Sequence, residues 1–133
     1  MAMKRVFLSF LGEDKQKVEG LRLLAANPIY DLEFYDESVR SPFDSHDAEY
    51  IKRKIRDKIS RTSVTVCLIS EQTHTSLWVD WELEESTKKS NTIIAMALKG
   101  VDRAILPTLI KARGLTFHAW NPGQLNDLIT KSS

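Results

Sequence analysis

Ser63-Val64-Thr65-Val66-Cys67-Leu68-Ile69-Ser70 is apolar or β-branched at nearly every position. A strand that shows apolar side chains on both faces belongs in a parallel sheet clothed by helices. Residues 92–98 are a second run of this kind. Outward from these two, residues 5–10 read as a first strand, 32–35 as a short second and 116–120 as a weaker fifth. Helical spacing fills the intervals. Val18, Leu21, Leu24 and Ala25 mark a helix over 15–26, with Asp14 as its cap and Asn27-Pro28 as its stop. Ile51, Ile55 and Ile59 lie four apart, with Ala48 three before Ile51, and the other faces carry Lys52, Arg53, Lys54, Arg56, Lys58 and Arg61. A helix over 77–89 follows the cap Ser76. Residues 36–47 read as loop. Residues 99–114 have no regular reading, because Pro107 forbids one long helix. Pro122-Gly123 breaks the chain before a last helix over 124–131, with Leu125 and Leu128 inward.

Strand and helix alternate, and crossovers between parallel strands are right-handed. The expected architecture is a three-layer α/β sandwich around a five-stranded parallel sheet of flavodoxin-like order 2-1-3-4-5. The 133 residues make one domain, with residues 1–3 and 131–133 as frayed ends.

Composition narrows the class of function. Apolar residues at 42% and charged residues at 28% are ordinary for a globular domain, and a net charge of +1 gives no field that selects nucleic acid or a membrane. No apolar run reaches the roughly 18–20 residues of a membrane span. The single cysteine, Cys67, forms no internal disulfide; it reads as a core residue in a reducing, cytoplasmic setting. His46, His74 and His118 are scattered, so no metal and no resident cofactor is expected.

Ligands of such sheets bind outside the carboxyl ends of the strands, where the winding reverses. That rule selects Phe10 with its loop, Ser70 with its loop, and the first turns of the helix after the third strand. This helix opens Leu77-Trp78-Val79-Asp80-Trp81-Glu82. Val79 and Leu83 should face the sheet, leaving Glu82 at the border with solvent, on the rim of a cleft. The helix dipole favours its charge there. In an acidic segment with Asp80, Glu84 and Glu85, a carboxylate needs no function to be explained. The enzymatic reading therefore requires Glu82 to face a cavity; hidden beneath packed neighbours, it would leave only a docking role. The basic residues 52–61 form a solvated face, or a docking surface for the acidic segment 80–85 of a neighbouring copy, and are too spread along one helix to read nucleic acid.

Val6-Phe7-Leu8-Ser9-Phe10 with Gly12-Glu13-Asp14, Phe34-Tyr35-Asp36, and residues 62–83 with Trp78 four places before Glu82 together resemble the signature regions of a TIR (Toll/interleukin receptor) domain. The resemblance covers residues 4 to about 98. Residues 50–85 resemble the small stand-alone bacterial TIR proteins, including those of Thoeris anti-phage defence. It implies that Glu82 is the catalytic residue of an NAD-consuming enzyme (an NAD+ nucleosidase or ADP-ribosyl cyclase), with Ser9, Phe10, Leu11, Asp36, Ser70 and Trp78 at the substrate. It implies NAD as substrate, self-association through TIR-like surfaces, and a separate effector switched on by a hydrolysed, cyclised or conjugated nucleotide product. Two departures stand out. Leu11 occupies a place where many TIR domains carry arginine, for which Arg40 or Lys15 are the substitutes, and the loop after Asp36 lacks the usual glycine.

The chemistry suits one carboxylate. Breaking the nicotinamide–ribose bond builds an oxocarbenium-like sugar, nicotinamide leaves without an acid, and an anion near the ribose steadies the cation. Two other readings compete: a TIR-like homotypic interaction module without catalysis, and a nucleoside deoxyribosyltransferase-like enzyme. A phospho-receiver is disfavoured because the third strand ends Ile69-Ser70-Glu71, and a flavodoxin because Leu11-Gly12-Glu13-Asp14 is acidic where a phosphate loop needs hydroxyls and backbone N–H groups.

Overall fold

The computed structural model describes residues 4–18, 30–33, 43–101 and 103–131. Within them lie five strands: β1 (Lys4–Phe10), β2 (Tyr30–Glu33), β3 (Val64–Ile69), β4 (Thr92–Ala97) and the two-residue β5 (Phe117–His118). Hydrogen bonds join them in the order β2-β1-β3-β4-β5, every neighbouring pair parallel. Helices at Ala48–Ser60, Leu77–Lys88, Thr108–Ala112 and Pro122–Lys131 alternate with the strands.

Side-chain alternation divides the core into layers. Val6, Leu8 and Phe10 of β1, Val64, Val66 and Leu68 of β3, and Ile94 and Met96 of β4 share one face, covered by Val18, Leu125 and Ile129. On the other face Phe7 meets Ala48, Ile51, Ile55, Ile59 and Trp78. Beside that cluster Cys67, Ile69 and Ala95 meet Val79, Leu83 and Ile110. Every residue of β3 is buried, as a strand covered on both faces requires.

Several local expectations change. The helix 15–26 is described only over residues 15–18, and Asn27-Pro28 lies outside the described residues. Gly12–Asp14 forms a 3-10 turn, and the buried Asp14 carboxylate accepts from Ser70 Oγ at 2.6 Å. Pro122 starts the last helix rather than breaking the chain before it, because the first helical position needs no N–H; Asn121 Oδ1 accepts from Gln124 N at 3.0 Å. Leu125 and Ile129 are the buried pair there, with Leu128 half-buried beside them. Pro107 precedes a short helix, Thr108–Ala112, that ends at Gly114 with φ +62°.

Candidate functional site

The helix Leu77–Lys88 starts where it does because Ser76 Oγ accepts from Val79 N at 3.1 Å, meeting one of its free amides. A parallel strand delivers the chain to the carboxyl edge of the sheet, so this start sits near the end of β3. The inward stripe is Trp78, Val79, Glu82, Leu83 and Ser86. Glu82 thus lies four residues from both Trp78 and Ser86, in the middle of the stripe and not on its border. It is fully buried. The expectation of a carboxylate on the rim of an open cleft is wrong, and the reason is geometric: at about 100° per residue, 78, 82 and 86 stack on one line beside 79 and 83.

Beneath Glu82 lies β1. Ser9 points to the same side as Phe7, and its Oγ donates to Glu82 Oε1 at 2.9 Å. Register pairs Ser9 with Cys67 of β3. Burial pushes the Cys67 thiol far above its ordinary range, and the charges of Glu82 and Asp80 push it further. A polar column continues along the helix. Ser86 Oγ donates to the Glu82 carbonyl at 2.8 Å and Thr65 Oγ1 donates to Ser86 Oγ at 2.7 Å. Asn91 Nδ2 reaches Thr62 Oγ1 at 3.0 Å and Thr65 Oγ1 at 3.2 Å. Sequence reading missed this column; its trace is that Thr65 alone carries a hydroxyl within β3.

The other expected substrate residues that are described fall in three places. Phe10 is buried in the core on the opposite face of the sheet, because it is one residue from Ser9 on an alternating strand. Trp78 is a core aromatic between helices, with its ring edge-on to Phe43 at 4.9 Å. Leu11 and Ser70 line a separate cleft of about 250 Å³ at the carboxyl ends of β1 and β3, with Glu13, Asp14, Glu71 and Gly100. Its floor is a buried cluster: Ser70 Oγ donates to Asp14 and lies 3.2 Å from Thr73 Oγ1. Asp36 and Arg40 lie outside the described residues, and Lys15 is half-buried. His46 is exposed, while His74 and His118 are half-buried. Among the described residues no three His, Cys, Asp or Glu converge as a metal site, and no helix is long and apolar enough to cross a membrane.

The basic helix also finds a partner within the chain. Arg56 Nε donates to Glu85 Oε1 at 2.9 Å, and the Arg56 guanidinium lies 5.3 Å from the Trp81 ring. Lys52 Nζ sits 4.5 Å over the Phe43 ring. Basic and acidic helices expected to meet between copies therefore meet inside one subunit.

Residues 7–103 match the family of the Thoeris protein ThsB, TIR-like domain. The chain belongs to that family. This ThsB-type TIR-like domain resembles, among solved structures, the TIR domain of the Toll-related receptor TRR-2 of Hydra magnipapillata, at 17% identity over 95% of this chain and 91% of that one, with a TM-score of 0.56. It also resembles the CMP N-glycosidase BcmB of Clostridium botulinum, at 19% identity over 94% and 98%, with a TM-score of 0.61. A third likeness is a 2-deoxyribosyltransferase of Bacillus psychrosaccharolyticus, at 13% identity over 92% and 90%, with a TM-score of 0.66. No curated protein matches the chain.

Proposed function

We propose that this ThsB-type TIR-like domain breaks the N-glycosidic bond between nicotinamide and ribose in NAD, with Glu82 as the catalytic carboxylate, and that its ADP-ribose-derived product signals to a separate effector in anti-phage defence. The observation that carries this reading is the Glu82–Ser9 pair, a fully buried carboxylate set near the sheet's switch point. Burying a carboxylate costs free energy that an apolar residue of similar size would not. A buried ionisable group with a defined donor is therefore a candidate for chemistry. Two fold neighbours carry names, N-glycosidase and deoxyribosyltransferase, that denote chemistry at the same carbon of a sugar.

In the reaction, the bond from ribose C1′ to the pyridinium nitrogen breaks and its electron pair leaves with neutral nicotinamide. Glu82 stabilises the cation left on the sugar. Water or an internal nucleophile then bonds to C1′, and the proton of that nucleophile passes to solvent. Glu82 has no exposed surface and lines neither the cleft at Leu11 and Ser70 nor the grooves along the basic helix, so the condition set from the sequence, a Glu82 that faces a cavity, is not met in this subunit; the enzymatic reading holds only for a form in which the cover over Glu82 has moved. On this reading, turnover depends on a trigger or an assembly that uncovers Glu82.

The same burial favours a second reading, a homotypic interaction module in which Glu82 is structural. One assay separates them. Concentrated protein is incubated with NAD under crowding, and nicotinamide and nucleotide products are followed by mass spectrometry. The enzyme reading expects nicotinamide release, reduced on the order of 10²–10³-fold in Glu82→Ala. Equal background release from both proteins, with and without phage-infected lysate, leaves the module.

A further inference from the structure

An open surface groove of about 510 Å³ runs between the basic helix and the end of the glutamate helix. Arg53, Arg56, Asp57 and Ser60 line one wall, on one stripe of the helix Ala48–Ser60, so four cations face two carboxylates, Asp57 and Glu85, across the groove. Glu85, Lys88 and Lys89 line the other. The cations come from two elements more than thirty positions apart, so the groove is invisible in either segment alone.

Three features make it a site for an anion. Arg56 spends Nε on Glu85, and among the described residues no hydrogen bond engages its terminal amino groups. Lys88, 74% exposed, and the exposed Arg53 are held only loosely, Lys88 by Glu85 at 3.8 Å. Helix C-termini ordinarily repel anions. Here Lys89 Nζ donates to the carbonyls of Ile59 at 3.1 Å and Thr62 at 2.6 Å, which neutralises that end of the basic helix. A second hollow, of about 240 Å³, adjoins the first through the shared residues Arg53 and Asp57 and is walled by Tyr50. The Tyr50 ring is 54% exposed and flanked by Arg53 at 5.9 Å and Lys54 at 5.3 Å. An exposed aromatic face beside a cationic groove suits a base joined to a phosphate.

We propose that this groove binds a mononucleotide, with its phosphates between Arg53, Arg56 and Lys88 and its base on Tyr50. Ser60 and Lys89, just ahead of β3 and β4, set one end of the groove at the amino edge of the sheet, while Tyr50, in the first turn of the basic helix, lies toward the carboxyl edge; Glu82 lines neither hollow. The site is therefore separate from Glu82 and independent of the reading given to it.

The test is a titration of the isotope-labelled intact protein with ADP, inorganic phosphate and adenosine, read by amide chemical shifts. ADP is expected to move Tyr50, Arg53, Arg56 and Lys88, more weakly as salt rises. Phosphate moves the arginine and lysine signals alone, and adenosine binds much more weakly than ADP. Arg53→Glu combined with Lys88→Glu, both at exposed positions, weakens ADP binding by roughly 10- to 100-fold with an unchanged unfolding midpoint. The proposal is overturned if ADP shifts fall instead around Leu11 and Ser70, or if the double variant binds ADP as tightly. It is overturned equally if the variant loses only a salt-sensitive self-association, which assigns the groove to a second copy.

Discussion

Ser9 Oγ donates a 2.9 Å hydrogen bond to Glu82 Oε1 across 73 positions of sequence, and both residues are fully buried. This bond ties the end of β1 to the glutamate helix. Glu82→Gln keeps the shape and removes the buried charge, so we expect stability unchanged or raised while NAD cleavage falls on the order of 10²–10³-fold. Ser9→Ala leaves the carboxylate without this donor and should cost about 1–3 kcal/mol in urea unfolding. A cost below about 0.5 kcal/mol would show that the bond contributes nothing net.

Cys67, paired in register with Ser9, is fully buried, with its thiol raised by burial first and by the neighbouring carboxylates second. Thiolate is the reactive form. Native protein should therefore resist alkylation at neutral pH and react only as it unfolds, which mass spectrometry along a urea series reads directly. Rapid labelling of folded protein would mean that the region opens readily.

The two helices of the glutamate face are joined by Arg56 and Glu85, which are 49% and 10% exposed. Removing Arg56 strips the more buried partner of its nearest cation. Arg56→Ala is expected to cost about 1–3 kcal/mol. The coupling in a double-mutant cycle with Glu85→Ala should be only about 0.5–1 kcal/mol and shrink with salt. Additive single and double losses would show the pair to be incidental.

The alternation of strands and helices was legible because its periods were clean. Val64–Ile69 has no polar face, and Ile51, Ile55 and Ile59 stand alone among charges. Ser76 was legible as a cap because a cap is a local device. Depth was not legible. Glu82 looked like a rim residue because Val79 and Leu83 take the sheet face by spacing and leave Glu82 only its edge, whereas Trp78 and Ser86, one turn to either side, set it within the buried stripe. Phe10 and Ser9 differ by one position and fall on opposite faces of the sheet, a parity that motif matching does not carry. The contact between Arg56 and Glu85 needed the tertiary fold, since it joins side chains 29 positions apart.

Asp80 gives the domain a pH dependence of its own. The residue is half-buried, its Oδ1 has no hydrogen-bond partner among the described residues, and its carboxyl is raised above the ordinary aspartate range by burial first and by Glu84 second, with His74 opposing. Between the ordinary and raised values the folded state holds more protons than the unfolded one. Stability therefore falls as pH rises through that window, and the deficit persists at neutral pH. Asp80→Asn removes it. We expect the variant to melt higher than the native protein at pH 7 and to coincide with it below the ordinary aspartate range. The gain should stay under about 1 kcal/mol, because solvent screens a half-exposed group and the helix dipole already favours a carboxylate in the first turn. Melting curves from pH 3 to 8 decide it, and a variant that melts lower at pH 7 would show that the charge of Asp80 is held favourably.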